Sequence, residues 1–199
     1  MRVIVGITGA SGSIYGLRLL ETLAQGGGVE LHLVVTHSGK RVIKQETGRS
    51  VEEVRKLAHF WHDINDVGAC IASGSFKRDG MVVAPCSMKT LAAIACSYSD
   101  NLLSRAADVT LKERRPLILM ARETPLHLGH VRNMLQATEM GAILLPPMPS
   151  FYHHPRTIDD IVNHTVGRVL DLLGVQHQLS TPWSGLDELS VVDIPPGER

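Results

Sequence analysis

The residues best suited to chemistry sit in five short stretches, each following an apolar run. They are Gly9-Ala10-Ser11-Gly12, Thr36-His37-Ser38, Cys86-Ser87-Met88-Lys89-Thr90, Arg122-Glu123-Thr124-Pro125 and Pro147-Met148-Pro149-Ser150-Phe151-Tyr152. Together they offer small hydroxyls, cations, one acid and an aromatic hydroxyl. Glycines after the first run let a ligand approach the backbone, and the amides of a helix starting there can receive an anion. A plain tight turn would carry the same glycines. Arg122 and Glu123 are more telling. They emerge from a buried run, where an unpaired charge is costly, so each is expected to face a partner or a ligand.

The glycine loop disfavours NAD(P). GxGxxG spacing is absent, and Thr36 and His37 stand where a ribose-binding acid is wanted. Tyr15, Tyr98 and Tyr152 are followed four residues on by Leu19, Leu102 and Arg156, never by lysine. A nucleotide lacking the adenosine ribose, such as FMN, fits better. His127-Leu128-Gly129-His130 copies the HxGH signature of class I aminoacyl-tRNA synthetases and nucleotidyl transferases. It follows the fourth strand-like run instead of the first, with no KMSKS-like loop after it, and reads as chance. That pair, and His59 with His62, have no carboxylate or cysteine at ligand spacing, so surface or capping histidines are expected. Asp159 and Asp160 favour the start of the last helix through its dipole. Arg114 and Arg115 complement the end of another.

The elements that must position these residues alternate. Residues 3–8, 30–36, 81–85, 117–121 and 142–146 are apolar on both faces, as buried parallel strands are. Helical patterns cover 13–25, 51–59, 88–95, 102–114, 126–140 and 158–173, the last with Ile158, Ile161, Val162, Thr165, Val169 and Leu173 on one face. This order predicts an α/β, Rossmann-like (flavodoxin-like) three-layer sandwich: a mostly parallel sheet, helices on both faces, and ligands beyond the carboxyl ends of the strands. One domain over 1–183 is expected, then an acidic, irregular tail over 184–199.

Composition narrows the function. The 199 residues carry 20 Lys plus Arg against 20 Asp plus Glu, with 44% hydrophobic residues. That balance disfavours disorder and an overall-basic nucleic-acid binder, and eight aromatics leave little for base stacking. Cys70, Cys86 and Cys96 form no CxxC pair and read as reduced thiols. With no signal-like segment and no apolar run of about 18 residues, no membrane association is expected and the cytoplasm is the expected location.

The ordered motifs carry a resemblance. Thr8-Gly9-Ala10-Ser11-Gly12, Ala72-Ser73-Gly74-Ser75-Phe76, the run from Gly80 to Leu91 and Arg105-Ala106-Ala107-Asp108-Val109 are followed by Leu111-Lys112-Glu113-Arg114, Arg122-Glu123-Thr124-Pro125-Leu126, Phe151-Tyr152 and Trp183. From about residue 2 to 185 the chain resembles the UbiX/Pad-type flavin prenyltransferases, often labelled aromatic acid decarboxylases. The resemblance implies transfer of a dimethylallyl group from dimethylallyl monophosphate to N5 and C6 of reduced FMN, without a metal. The prenylated FMN would then serve a partner UbiD-type decarboxylase, and the chain would assemble as a dodecamer with FMN at a subunit junction.

By the same resemblance Gly9, Ala10, Ser11, Thr36, Ser87, Met88, Lys89, Thr90 and Arg122 would hold FMN, its phosphate at the helix after Cys86. Arg105, Lys112, Tyr152 and Arg168 would hold the substrate phosphate, and Trp183 would wall the allyl pocket. Ser11 would bond near N5, while Glu46 and Glu123 would handle protons in ring closure. Thr36 stands where many relatives have serine, and residues 67–71 lack an aromatic that some carry. Two other readings are a direct FMN-dependent decarboxylase and a non-catalytic flavin carrier. The first is disfavoured because Pro85-Cys86-Ser87-Met88-Lys89-Thr90 replaces a Pro-Ala-Ser-Ala-Asn-Thr-like loop. The second leaves the extra cations without a task.

Overall fold

Strands that are apolar on both faces can hide both only inside a layered structure, and this is how they are used. A computed structural model describes residues 1–180. Six parallel strands, β1 (Arg2–Ile7), β2 (Glu30–Val35), β3 (Phe60–His62), β4 (Gly80–Cys86), β5 (Leu117–Ala121) and β6 (Ile143–Leu144), pair in the order β3-β2-β1-β4-β5-β6. The helices are α1 (Ser13–Gly26), α2 (His37–Thr47), α3 (Val51–Arg55), α4 (Met88–Ala95), α5 (Leu102–Lys112), α6 (Leu128–Glu139) and α7 (Ile158–Leu173).

Alternate residues of the central strands feed two cores. Val3, Val5 and Ile7 meet Leu17, Leu20 and Leu23 of α1 and Val162, Val166 and Leu170 of α7. On the other face Ile4, Met81 and Val83 meet Leu91 and Ile94 of α4, Leu102 and Ala106 of α5, and Ala137 of α6. β4 is buried along its whole length. Gly16 seats α1 directly on it: a Cβ there would lie 2.2 Å from the Ala84 carbonyl oxygen. The expected α/β three-layer architecture is therefore observed.

Short polar residues set the helix starts. Thr36, Ser87 and Thr157 accept from the amides of Gly39, Thr90 and Asp160, and Thr157 with Asp160 forms a capping box. Asp160 starts the last helix as expected, and His127 caps α6 by accepting from the Gly129 amide.

Four boundaries differ from expectation. The 51–59 helix stops at Arg55, because 60–62 pairs with β2 as the edge strand β3. The 142–146 strand reduces to two residues, and α6 begins at Leu128 instead of 126. α5 ends at Lys112, with Arg114 at a φ of 52°. α2 was not expected, since it is mostly polar and Gly39 and Ile43 are its only buried residues. Among the described residues no helix is long and apolar enough to cross a membrane.

Candidate active site

The loops leaving β1, β2, β4 and β5 lie side by side at the carboxyl edge of the sheet, because those strands are neighbours. Gly9, Ala10 and Ser11 leave β1, with Ser11 exposed. A Cβ at Gly9 would lie 2.4 Å from that of Ser38, so this loop sits against the start of α2. Glu46, near the end of α2, closes over the same loop. Its carboxylate accepts from the Gly12 amide at 3.1 Å, the Ser13 amide at 2.8 Å and the Ser13 hydroxyl at 2.7 Å. Partial burial pushes the Glu46 pKa up, but the hydrogen bonds from Ser11, Ser13 and Gly12 outweigh it and hold the group below the ordinary carboxylate range. The amino end of α1 is thus already satisfied by a carboxylate of the protein, which leaves no room there for a ligand's phosphate.

The next helix along is different. Thr8 Oγ1 donates to the Pro85 carbonyl at 2.7 Å and accepts from the Ser87 amide at 2.8 Å, fixing the turn out of β4. Ser87 caps α4, while the Met88 and Lys89 amides find no acceptor among the described residues. Thr90 is buried under the cap, its hydroxyl 3.2 Å from that of Ser87. Lys89 pairs with Asp100 at 2.9 Å. Burial drives the Cys86 thiol up to about 12, so it is no nucleophile at neutral pH.

Arg122 enters from β5, its amide donating to the Cys86 carbonyl at 3.1 Å. Its guanidinium is exposed and makes no ion pair or hydrogen bond among the described residues. Glu123 is also exposed and accepts only from the Thr124 amide, at 3.0 Å. Both stand at the point where the chain leaves the sheet, so within one chain they are exposed, and Arg122 remains open to a ligand.

The remaining cations lie elsewhere. Arg105 and Lys112 are two turns apart on α5, beside the 72–75 loop: Arg105 donates to the Ala72 carbonyl, and a Cβ on Gly74 would meet the Lys112 ammonium. α5 runs against the strands, so Lys112 sits toward the edge where β5 begins. Tyr152 and Arg168 belong to the α7 layer on the opposite face. The Tyr152 hydroxyl bonds His164 Nε2 at 2.7 Å, and Ser150 bonds His164 Nδ1 at 3.2 Å. Arg105, Lys112 and Arg168 each pair with a carboxylate, of Asp108, Glu113 and Asp171. By the resemblance these residues would share a site at a subunit junction; a single chain groups those at the strand ends and parts the others between two layers. Trp183 lies outside the described residues.

Sequence reasoning missed Ser13, which binds Glu46, and His164, which holds Tyr152. His164 carried a signal: it stands one helical turn from Arg168 on α7. The carboxyl-edge residues suit FMN in kind. Two unpartnered amides and the unpaired Arg122 match a phosphate, and exposed hydroxyls border a glycine loop that a flat ring can approach.

Fold and site together define a flavin-nucleotide-binding α/β protein, and the "Flavoprotein" family model matches residues 1–170. A relative from Thauera aromatica, named flavin prenyltransferase UbiX, is 59% identical over 188 residues, covering 94% of this chain and 96% of that protein. A dodecameric FMN-dependent UbiX-like decarboxylase from Escherichia coli O157:H7 superposes with a TM-score of 0.91 at 51% identity, covering 93% of this chain and all of that one. AnUbiX (PadA1), solved in complex with FMN and dimethylallyl pyrophosphate, gives 0.91 at 47% identity, with 94% and 98% covered. The chain belongs to the UbiX-type flavin prenyltransferases.

Proposed function

We propose that this protein joins a dimethylallyl group from dimethylallyl monophosphate to N5 and C6 of reduced FMN. The observation that carries the reading is the presence of two separate sets of anion-binding groups. One, at the carboxyl edge, comprises Arg122 and the Met88 and Lys89 amides. The other, Arg105, Lys112, Arg168 and Tyr152, is divided between two layers of one chain and would come together across a subunit junction. A flavin carrier needs only the first. Bound there, reduced FMN would supply the two nucleophilic positions to which the allyl carbons are joined.

The chain's own groups do the rest. Gly9 and Ala10 admit the flavin ring, Thr36, Ser87, Met88, Lys89, Thr90 and Arg122 hold the FMN, and its phosphate lies at the amino end of α4. Ser11 gives its hydroxyl proton to Glu46 and so turns its oxygen, as an acceptor, toward N5, and the ionised Glu46 acts as its positioning group. Departure of an allylic phosphate builds negative charge on the leaving group, and Arg105, Lys112 and Arg168 neutralise it without a metal. Tyr152 donates to the same phosphate. Glu123, exposed beside Arg122, removes the proton as the ring closes.

Since one chain parts these groups, the reading also requires an oligomer, and Leu128, Val131 and Leu135 leave an apolar face exposed on α6. We take the assembly to be a dodecamer, as in the Escherichia coli relative, with a domain over 1–183 and an acidic tail over 184–199. The prenylated product would pass to a UbiD-type decarboxylase. Three free cysteines agree with work in the cytoplasm. The test is release of inorganic phosphate from dimethylallyl monophosphate under anaerobic conditions. It should require reduced FMN, and Lys112→Ala should raise the apparent KM about tenfold or more. Release that is independent of flavin would contradict the proposal.

A further inference from the structure

At the opposite edge of the sheet, away from the flavin loops, three metal-ligating side chains meet that lie far apart in sequence. His32 on β2 is 3% exposed. Its Nε2 lies 2.8 Å from Glu30 Oε1, and its Nδ1 lies 2.9 Å from Nε2 of His62 on β3. Glu30 also accepts from Arg2 Nε, at 2.5 Å, so its carboxylate faces His32 as an acceptor. The His32 proton therefore sits on Nε2, and Nδ1 turns a lone pair toward His62. Cys70 completes the group from a 3-10 turn, Cys70–Ala72: the ligand atoms of His32, His62 and Cys70 lie within 4.8 Å of one another.

We propose that His32, His62 and Cys70 bind one Zn2+, with Glu30 orienting His32 from behind. Two imidazoles and a thiolate form a borderline-soft donor set of the kind zinc takes. Zinc bond lengths place such donors about 3.3–3.6 Å apart, so shifts of about half an ångström to one ångström close the site. A carboxylate on the far nitrogen of a ligating histidine is the arrangement that raises its basicity and fixes its tautomer. Phe60 and Phe76 pack on the His32 ring, with centroids at 4.7 and 4.9 Å, and shield it from water. The ion takes no part in the prenyl transfer. It staples the turn at 70–72 to the edge strand, and that turn leads into the 72–75 loop beside Arg105 and Lys112.

The experiment uses the full-length protein, stripped with chelator and dialysed against Zn2+. Elemental analysis should find one zinc per chain in the wild type and in Cys96→Ser, and a loss of affinity of about tenfold or more in Cys70→Ser and His62→Gln. Co2+ should give a thiolate-to-metal charge-transfer band in the wild type and in Cys96→Ser but not in Cys70→Ser. Cys70 is exposed and its thiol makes no hydrogen bond among the described residues, while its one bond, from the Ser73 amide to its carbonyl, is kept by serine, so the serine variant should fold, and circular dichroism checks this. Zn2+ should raise the Tm of the wild type and leave that of Cys70→Ser unmoved. Equal zinc content in the wild type and Cys70→Ser would place the ion elsewhere, for example at the stacked His153 and His164, and overturn the proposal. So would absence of a bound ion in the wild type.

Discussion

Glu46 and Arg122 divide the charge at the carboxyl edge of the sheet. Glu46 spends its carboxylate on the amides and hydroxyls of the glycine loop, whereas Arg122 keeps its guanidinium for a ligand. Arg122→Ala should therefore weaken FMN binding about tenfold or more, measured by quenching of flavin fluorescence, with little change in Tm. Glu46→Gln should behave in the opposite way, lowering stability by about 1 kcal/mol at neutral pH. The folded pKa of Glu46 lies below the ordinary 4.5, so its stabilisation is present above that value and is lost as pH falls through the folded pKa. The Tm gap between wild type and Glu46→Gln should accordingly narrow in acid; a gap independent of pH would remove the ionised carboxylate from the account. Arg122 was legible in the sequence as a charge at a strand end. The engagement of Glu46 was not, because it depends on where α2 runs.

At the scale of elements, the buried strands announced themselves through their apolar runs, and α1, α4, α5 and α7 through their period. α2 and β3 escaped for physical reasons. α2 is a mostly polar helix held by its caps and two buried residues, and β3 is a three-residue edge strand whose pairing with His32 is a tertiary fact. The seating of α1 on β4 depends on one glycine. Gly16→Ala must push the helix off the Ala84 carbonyl, and it should cost about 2–3 kcal/mol in denaturant unfolding and weaken FMN retention. By contrast, Thr157→Ala removes one side of a capping box and should cost about 1 kcal/mol, leaving flavin binding intact.

For the whole molecule, the net charge of zero concealed the arrangement. The segment 184–199 holds Asp187, Glu188, Asp193 and Glu198 against Arg199, so residues 1–183 carry three excess positive charges. Within the chain most of the cations of interest rest on carboxylates, and they lie at two ends and two faces of one sheet. Sequence order told that they existed, but not that a single copy keeps them apart. If neighbouring copies complete the site, mixed oligomers of Arg122→Ala and Lys112→Ala should recover roughly a quarter of the intact sites, while each variant alone stays defective. No recovery on mixing would assign both residues to one copy's pocket.

The most direct measurement is anaerobic incubation of the FMN-loaded protein, after reduction, with dimethylallyl monophosphate, followed by mass spectrometry of the released flavin. The account predicts a flavin heavier by one dimethylallyl group. Unchanged FMN released from folded, flavin-loaded protein would contradict it.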